Sequence, residues 1–483
     1  MGAMPNPVSG RRLRRGLIAG AVALILAGGA AAFVLLHSPG NVSHPNLEFT
    51  NPAVTPVPPK HHVVVNNFLW PWYGYDAGRT RLFTGNGKLR PPLHVGWKFF
   101  DGGLLEFSPV IYQNTLYLLD DNGSLKAVNT LTGRLRWQRS VGTLAAASPA
   151  AAPRAKLVLV PVLSVSRPAG AKVSPGNGRF VAVSMRTGRI VWSRPIGAGA
   201  ESSPIVRGNT VYFGDQAGTL HAVRVSDGHQ FWTYHASGPI KGGPALVDGI
   251  LYFGDYTGRA YAVRASSGSQ VWAVGTNGAR FGFGSGQFYS SPAVAFGRVY
   301  MGNTDGRVYS FGARNGALAW ATGTGAFVYA SPAVADIRGL GPTVYIGSYD
   351  GNMYAFNAQS GAVRWRHPAG GKISGSATII GNVVYYSDLG TKSSAGLNVR
   401  TGQQVFSLPD GAFNAVIADY GAIYLNGYAQ VYKLVPGRPA HHPRARRRSP
   451  RRQPHARRRP PGHRAQARRT HPRTQPQQHR NRK

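Results

Sequence analysis

"SSPIVRGNTVYFGDQAGTLHAVRVSDGHQFW", residues 202–232, is followed by "GGPALVDGILYFGDYTGRAYAVRASSGSQVW", residues 242–272. The two stretches align without a gap, and each closes on tryptophan. In both, an apolar run after Ser-Pro or Gly-Pro leads to "VYFG" or "LYFG", a Gly-containing turn, "LHAV" or "AYAV", a second turn and an aromatic strand. Short apolar runs punctuated by Gly, Asp and Ser read as strands joined by tight turns, so each copy predicts a four-stranded antiparallel meander.

Aligning the closing aromatic along the whole chain gives Trp97, Trp137, Trp192, Trp232, Trp272, Trp320, Trp365 and Phe406, at intervals of 40–55 residues. That is the period of a propeller blade. One such sheet exposes two apolar faces and must stack on its neighbours. A large ring at the same place in each fourth strand fills the gap between adjacent sheets, and its indole N–H needs a carbonyl there. The segment "FNAVIADYGAIYLNGYAQVYKLV", 413–435, supplies three strands without a fourth, whereas the Trp97 strand has no three before it. Joined, they complete an eighth blade and latch the ring. The expected fold is all-β, an eight-bladed propeller over residues 68–435 of this 483-residue chain.

The flanks differ in kind. Residues 1–15 contain four arginines, and residues 16–36, "GLIAGAVALILAGGAAAFVLL", carry no charge. As a helix this run spans about 31 Å, enough for a bilayer core, and the positive flank stays cytoplasmic. A single-pass signal-anchor at the cell membrane with an extracytoplasmic propeller is expected. The alternative is a signal peptide cleaved near Ala30-Ala31-Ala32, against which the apolar run continues past that site. Residues 37–67, rich in Pro and Asn, read as an extended spacer that holds the ring away from the membrane.

The formal net charge is +38, and 17 of the Arg and Lys residues lie in 436–483, which has no Asp or Glu. This Arg-, Pro- and His-rich tail cannot bury enough apolar surface to fold and is expected to be disordered. It would bind anionic polymers or lipid headgroups through counterion release, or be a solvated extension with no selected partner. Export disfavours nucleic acid as its partner. The chain has no cysteine, which excludes disulfides and Cys-based metal sites.

The repeat, seen again as "SPAVAFGRVYMGNTDGRVYSFGARNGALAW" at 291–320, resembles the PQQ-binding-like, quinoprotein-type propeller repeat, and "WPWYGYDAGRTR", 70–81, resembles the leader before the first blade of many such proteins. The family includes dehydrogenases that hold pyrroloquinoline quinone and calcium on the axis, and non-enzymatic relatives such as the β-barrel-assembly lipoprotein. In the enzymes the resemblance implies a vicinal cysteine pair, acidic calcium ligands and a catalytic Asp. The cysteine pair is absent here and the blades lack the enzymes' long insertions.

Other candidates for chemistry read as structure. Asp215, Asp255, Asp305 and Asp350 fall in the turn between second and third strands, where an Asp caps its own backbone. No loop gathers three acids at calcium-binding spacing. The glycines of "GARFGFGSG", 278–286, lack the Lys-Ser/Thr of a phosphate loop. His61, His62, His441 and His442 lie in the linker and tail and read as solvated. No catalytic residue and no metal ligand is assigned.

One column stands out. Two positions before the Ser-Pro serine, or its equivalent, stand Glu106, Ala146, Glu201, Lys241, Tyr289, Tyr329, Ser374 and Phe413, and two of the chain's three glutamates fall in it. The first strand of a blade lies nearest the axis, so the column should ring one mouth of the central channel. Insertions at 161–178 and 275–289 emerge on the same face. Glu106, Glu201, Lys241, Tyr289 and Tyr329 therefore form a candidate axial binding ring; the alternative is a channel mouth that is merely wet.

Together these readings predict a monomeric, membrane-anchored, non-catalytic propeller that binds or scaffolds an envelope protein or polymer, without a cofactor. Two alternatives stand beside it: a PQQ-dependent dehydrogenase, and a structural envelope protein working through its basic tail.

Overall fold

The computed structural model describes residues 41–51, 68–85, 87–164, 177–276, 286–414 and 416–437. Within them the chain forms eight sheets arranged blade by blade, each built on four antiparallel strands, with no helix; in blade seven Leu82–Phe83 adds a fifth strand, parallel to Thr378–Ile380. Blade one comprises the strands Val110–Tyr112, Thr115–Leu119, Ser124–Asn129 and Leu135–Ser140, and the same order repeats to blade seven, which ends at Gln404–Leu408. Blade eight is composite: Val416–Ala418, Ile423–Asn426 and Gln430–Pro436 are completed by Leu93–Phe100, paired antiparallel from Gln430↔Phe100 to Pro436↔Leu93. The ring is closed as the repeat count predicts. The anchor run 16–36 and the tail 436–483, apart from Pro436 and Gly437, lie outside the described residues, as do the four linker and tail histidines.

The repeated tryptophan has the packing role its spacing implies. Trp97, Trp137, Trp192, Trp232, Trp272, Trp320 and Trp365 each donate the indole N–H to a backbone carbonyl of the next blade, at 2.9–3.2 Å. The acceptor always follows that blade's third strand. In the same turn a glycine faces the indole: Gly268 has φ 74°, and a Cβ there would sit 2.7 Å from the Trp232 ring. Only glycine meets both demands without strain. Phe406 has no such acceptor, because in blade eight the third and fourth strands come from opposite ends of the domain and no turn joins them.

The turn aspartates close the inner hairpins as expected. Asp215 and Asp255 accept backbone N–H bonds within their turns and hold the third strand through His221 (2.8 Å) and Tyr261 (2.7 Å). Asp305 and Asp350 stand two positions later in the turn and reach the matching tyrosines, Tyr309 and Tyr354. In blade one Asp120 does the same with Lys126, which also meets Asp101 at 2.8 Å.

Two segments differ from the simple picture. Residues 41–51, inside the expected spacer, lie against blade five: Val42–Ser43 pairs with its outer strand, Ser43 opposite Trp320. Leu47 and Phe49 pack on its core, and Glu48 accepts from the Arg314 backbone. Trp320 is consequently 0% exposed, against 9% for Trp192. Apolar Leu47 and Phe49 give this part of the linker a face to bury, which its Pro- and Asn-rich composition obscures.

The leader 68–83 is a plug. Its carbonyls accept N–H bonds from the first turn of blade one and from the innermost strands of blades two, four, five, six and seven, through Phe68, Pro71, Ala77, Gly78, Thr80 and Arg81. Arg79 and Arg81 are buried at 0% and 2% exposure, and carbonyls surround them: Arg79 donates to Tyr73, Ser203 and Pro244, and Arg81 to Pro332. Burial beside Arg81 lowers the Arg79 pKa to about 9, so it stays charged at neutral pH.

Candidate binding site at the axial mouth

The Ser-Pro step that opens most blades sets the geometry above this plug. Around the axis, the backbone N–H of one blade donates to the serine hydroxyl of the next: Ser148 to Ser203, Gly243 to Ser291, Ser291 to Ser331 and Ser331 to Ser376, at 2.8–3.0 Å. Asn414 takes the serine's place in blade eight, accepting from Ser376 and donating to the Glu106 carbonyl. The "GGP" of blade four, where its neighbour has "SSP", has a local reason. A Cβ at Gly243 would lie 2.5 Å from the Ser203 carbonyl and 2.8 Å from Arg79 Nη2, so the neighbouring blade's backbone and the plug's arginine together take that room.

One layer above the serines lies the column singled out by sequence. The structure brings Glu106, Glu201, Lys241, Tyr289, Tyr329 and Ser374 to the wall of one cavity with about 440 Å³ of empty space, including its open part, and Tyr73 of the leader lies beneath; Phe413 lines it too, but with Asn414 in the serine's place it stands one position before that residue, not two as aligned. Ala146 does not line it. Glu201 meets Lys241 Nζ at 3.0 Å and accepts from Gln216 at 2.5 Å. Glu106 accepts no side-chain hydrogen bond from the described residues. Burial, then the carboxylates of Glu201 and Asp121, push its pKa up to about 7.

An aromatic arc runs along one side of the mouth, with Tyr289 and Tyr329 in the cavity wall and Tyr256 and Tyr349 flanking them. Tyr256, Tyr289, Tyr329 and Tyr349 follow one another with ring centroids 6.2, 5.8 and 4.8 Å apart. Lys241 lies 4.8 Å from the Tyr256 ring at one end of this arc, and Lys372 lies 5.6 Å from Tyr349 at the other. Burial, followed by Glu201 and Glu106, raises the Tyr289 pKa. Tyr256 and Tyr349 were not in the column. They occupy the turns "GDYTG" and "GSYDG" that emerge on this face, and an aromatic in that polar turn was the available signal. Beyond the cavity, the connections and turns on this side expose Phe100 (74%), Phe327 (52%) and Tyr428 (47%). Most of the elaborated loops 161–178 and 275–289 lies outside the described residues.

Fold and site together define a closed eight-bladed propeller, plugged at one end of its axis and presenting an acidic and aromatic mouth at the other. Residues 101–234 and 235–435 match the family described as outer membrane protein assembly factor BamB, and the chain belongs to that family. BamB from Moraxella catarrhalis has the same fold at 16% identity and a TM-score of 0.57, over 71% of this chain and 99% of that one. A europium-containing methanol dehydrogenase (11%, TM-score 0.61) covers 76% of this chain and 98% of its own. The quinohemoprotein alcohol dehydrogenase from Comamonas testosteroni (13%, TM-score 0.60) covers 76% of this chain and 80% of its own. None of the curated proteins matches the sequence.

The dehydrogenase likeness raises the question of whether the mouth suits the quinone. Pyrroloquinoline quinone is a flat tricarboxylate, and here it would face Glu106 and Glu201. Of the two cations at the mouth, Lys241 is already held by Glu201 and Lys372 lies against the Tyr349 ring at the far end of the arc. Among the described residues no three metal-ligating side chains gather for a calcium ion. The donor set does not fit the cofactor.

Proposed function

We propose that this protein is a non-catalytic, extracytoplasmic binding propeller, held at the cell membrane by residues 16–36, that docks an envelope protein on its mouth face. The observation that carries this reading is that three of the four exposed Phe and Tyr side chains among the described residues, Phe100, Phe327 and Tyr428 but not Phe231, lie on the face of a mouth whose charged groups suit no quinone. Exposed aromatics gathered on one face mark a docking surface, since Tyr, Trp and Phe dominate interface anchors. Membership of a family described as an assembly factor supports the same reading. Purified protein supplied with pyrroloquinoline quinone and calcium is expected not to reduce a dye with alcohols or aldoses. Sustained quinone-dependent turnover would overturn the non-catalytic assignment.

The tail is proposed as an electrostatic accessory. Seventeen positive charges without an acid or an aromatic residue give salt-governed, non-specific attraction to anionic surfaces. Deleting 438–483 should weaken vesicle binding at low salt and leave the melting temperature unchanged. In the intact chain, binding should fall steeply as the Debye length shrinks from about 30 Å at 0.01 M to about 8 Å at 0.15 M salt. Equal binding by the truncated ring would assign the attraction to the propeller instead.

A further inference from the structure

Of the two carboxylates in the mouth, the fold answers one. Glu201 has Lys241 and Gln216, whereas Glu106, partly buried in the same wall, has neither a hydrogen bond nor an ion pair to its carboxylate among the described residues. The charged groups that act on it are Glu201 from the start of blade three, Asp121 from a turn of blade one and Lys241 from the start of blade four, a net negative set. Across from it, Tyr289 and Tyr329 meet edge to face at 5.8 Å and supply apolar ring surface. A cation entering here gains a carboxylate partner in a partly buried site and lies against aromatic rings, both favourable. An anion would be repelled, and a neutral group would leave Glu106 unanswered.

The cavity is narrow and floored by Tyr73 of the plug, so it admits a slender group end-on. We propose that the axial mouth binds a primary alkylammonium group, with Glu106 as its counter-ion and the Tyr289–Tyr329 pair lying along the alkyl stem. A small free amine and a lysine side chain on a docked protein present the same chemistry. The proposal rests on the reading of the mouth as a binding face and names what enters its centre.

Glu106 must be ionised to act. Its raised pKa, about 7, means that binding strengthens as pH rises from 6 to 8 and is accompanied by proton release. The test is calorimetric titration of the full chain in detergent with n-butylammonium, with n-butanol as the neutral match and with a lysine-bearing peptide and its norleucine counterpart. Saturable n-butylammonium binding is expected. It should weaken at least roughly tenfold in Glu106→Gln, on the scale of a lost charged hydrogen bond, and be unchanged in Asp227→Asn. At pH 7, on the order of half a proton should be released per ammonium bound.

Tighter binding of the lysine peptide than of the free amine assigns the group to a protein partner; the reverse order assigns it to a small amine. Butanol binding as well as butylammonium, an unaffected Glu106→Gln variant, or binding without proton release each overturns the proposal. The proton measurement uses the parent protein and stands even if the variant folds poorly. If Glu106→Gln still captures the envelope partner while losing amine binding, docking and amine recognition are separate. If neither protein binds the amine, the ammonium site fails and the docking face is judged on its aromatics alone.

Discussion

The indole of Trp232 fills the seam between blades three and four and donates its N–H to the Ala265 carbonyl, which also accepts from Tyr212 Oη at 3.1 Å. Truncating it removes a large ring and leaves two partners facing a void. Trp232 is partly buried, and Trp232→Ala should cost roughly 3 kcal/mol in a denaturant or thermal melt, the lower end for large aromatic truncations. A melting temperature equal to the parent's would contradict the seam role. The column of rings was legible in sequence because one position must satisfy both shape and hydrogen bonding in every blade. Its exception, Phe406, was visible but not explicable there. The Phe406 seam faces the junction of the domain's two ends, where no turn offers a carbonyl, and the neighbouring Tyr385 hydroxyl is likewise without a partner.

At the level of elements, the leader was recognisable as a motif, yet its position was not. Arg79 and Arg81 sit in a short run without strand or helix period, and both adopt left-handed backbone (φ 54°) that no pattern announces. Buried arginines held by carbonyls and, for Arg81, by the Tyr73 ring are a tertiary arrangement, written only in the blades they join. The two-residue difference between "SSP" and "GGP" was its one trace. Gly243→Ser would place Cβ 2.5 Å from the Ser203 carbonyl and 2.8 Å from Arg79 Nη2. The expected cost is about 1–3 kcal/mol, as for overpacked cores, read as a lowered denaturation midpoint. Arg79→Ala in the same chain should recover part of it, giving a non-additive double-mutant cycle. Strict additivity would mean that the arginine does not set the glycine. The linker stretch 41–51 escaped for a related reason: two apolar residues, Leu47 and Phe49, are too few to register against a Pro- and Asn-rich background.

For the whole molecule, ring closure follows from the count of repeats, because seven complete copies and two complementary fragments leave one way to bury every sheet. The mouth was legible as a column for the same reason: the first strand of each blade faces the axis. Its aromatic arc was only half legible, since Tyr256 and Tyr349 come from turns whose side chains no periodicity orients. The plug closes one end of the axis, so the acidic and aromatic mouth is where the channel meets its surroundings, and the exposed Phe100, Phe327 and Tyr428 lie on the same face.

The docking claim is tested most directly by photo-crosslinking in native membranes. A photoreactive phenylalanine replaces Phe327 on the mouth face or, as the control, Leu131, which is 58% exposed in a turn on the opposite face. The account predicts a discrete crosslinked envelope protein from position 327, lost when Phe100 and Tyr428 are changed to serine, and none from position 131. Crosslinking of the same partner from position 131 alone, or from 327 regardless of the serine changes, would contradict it.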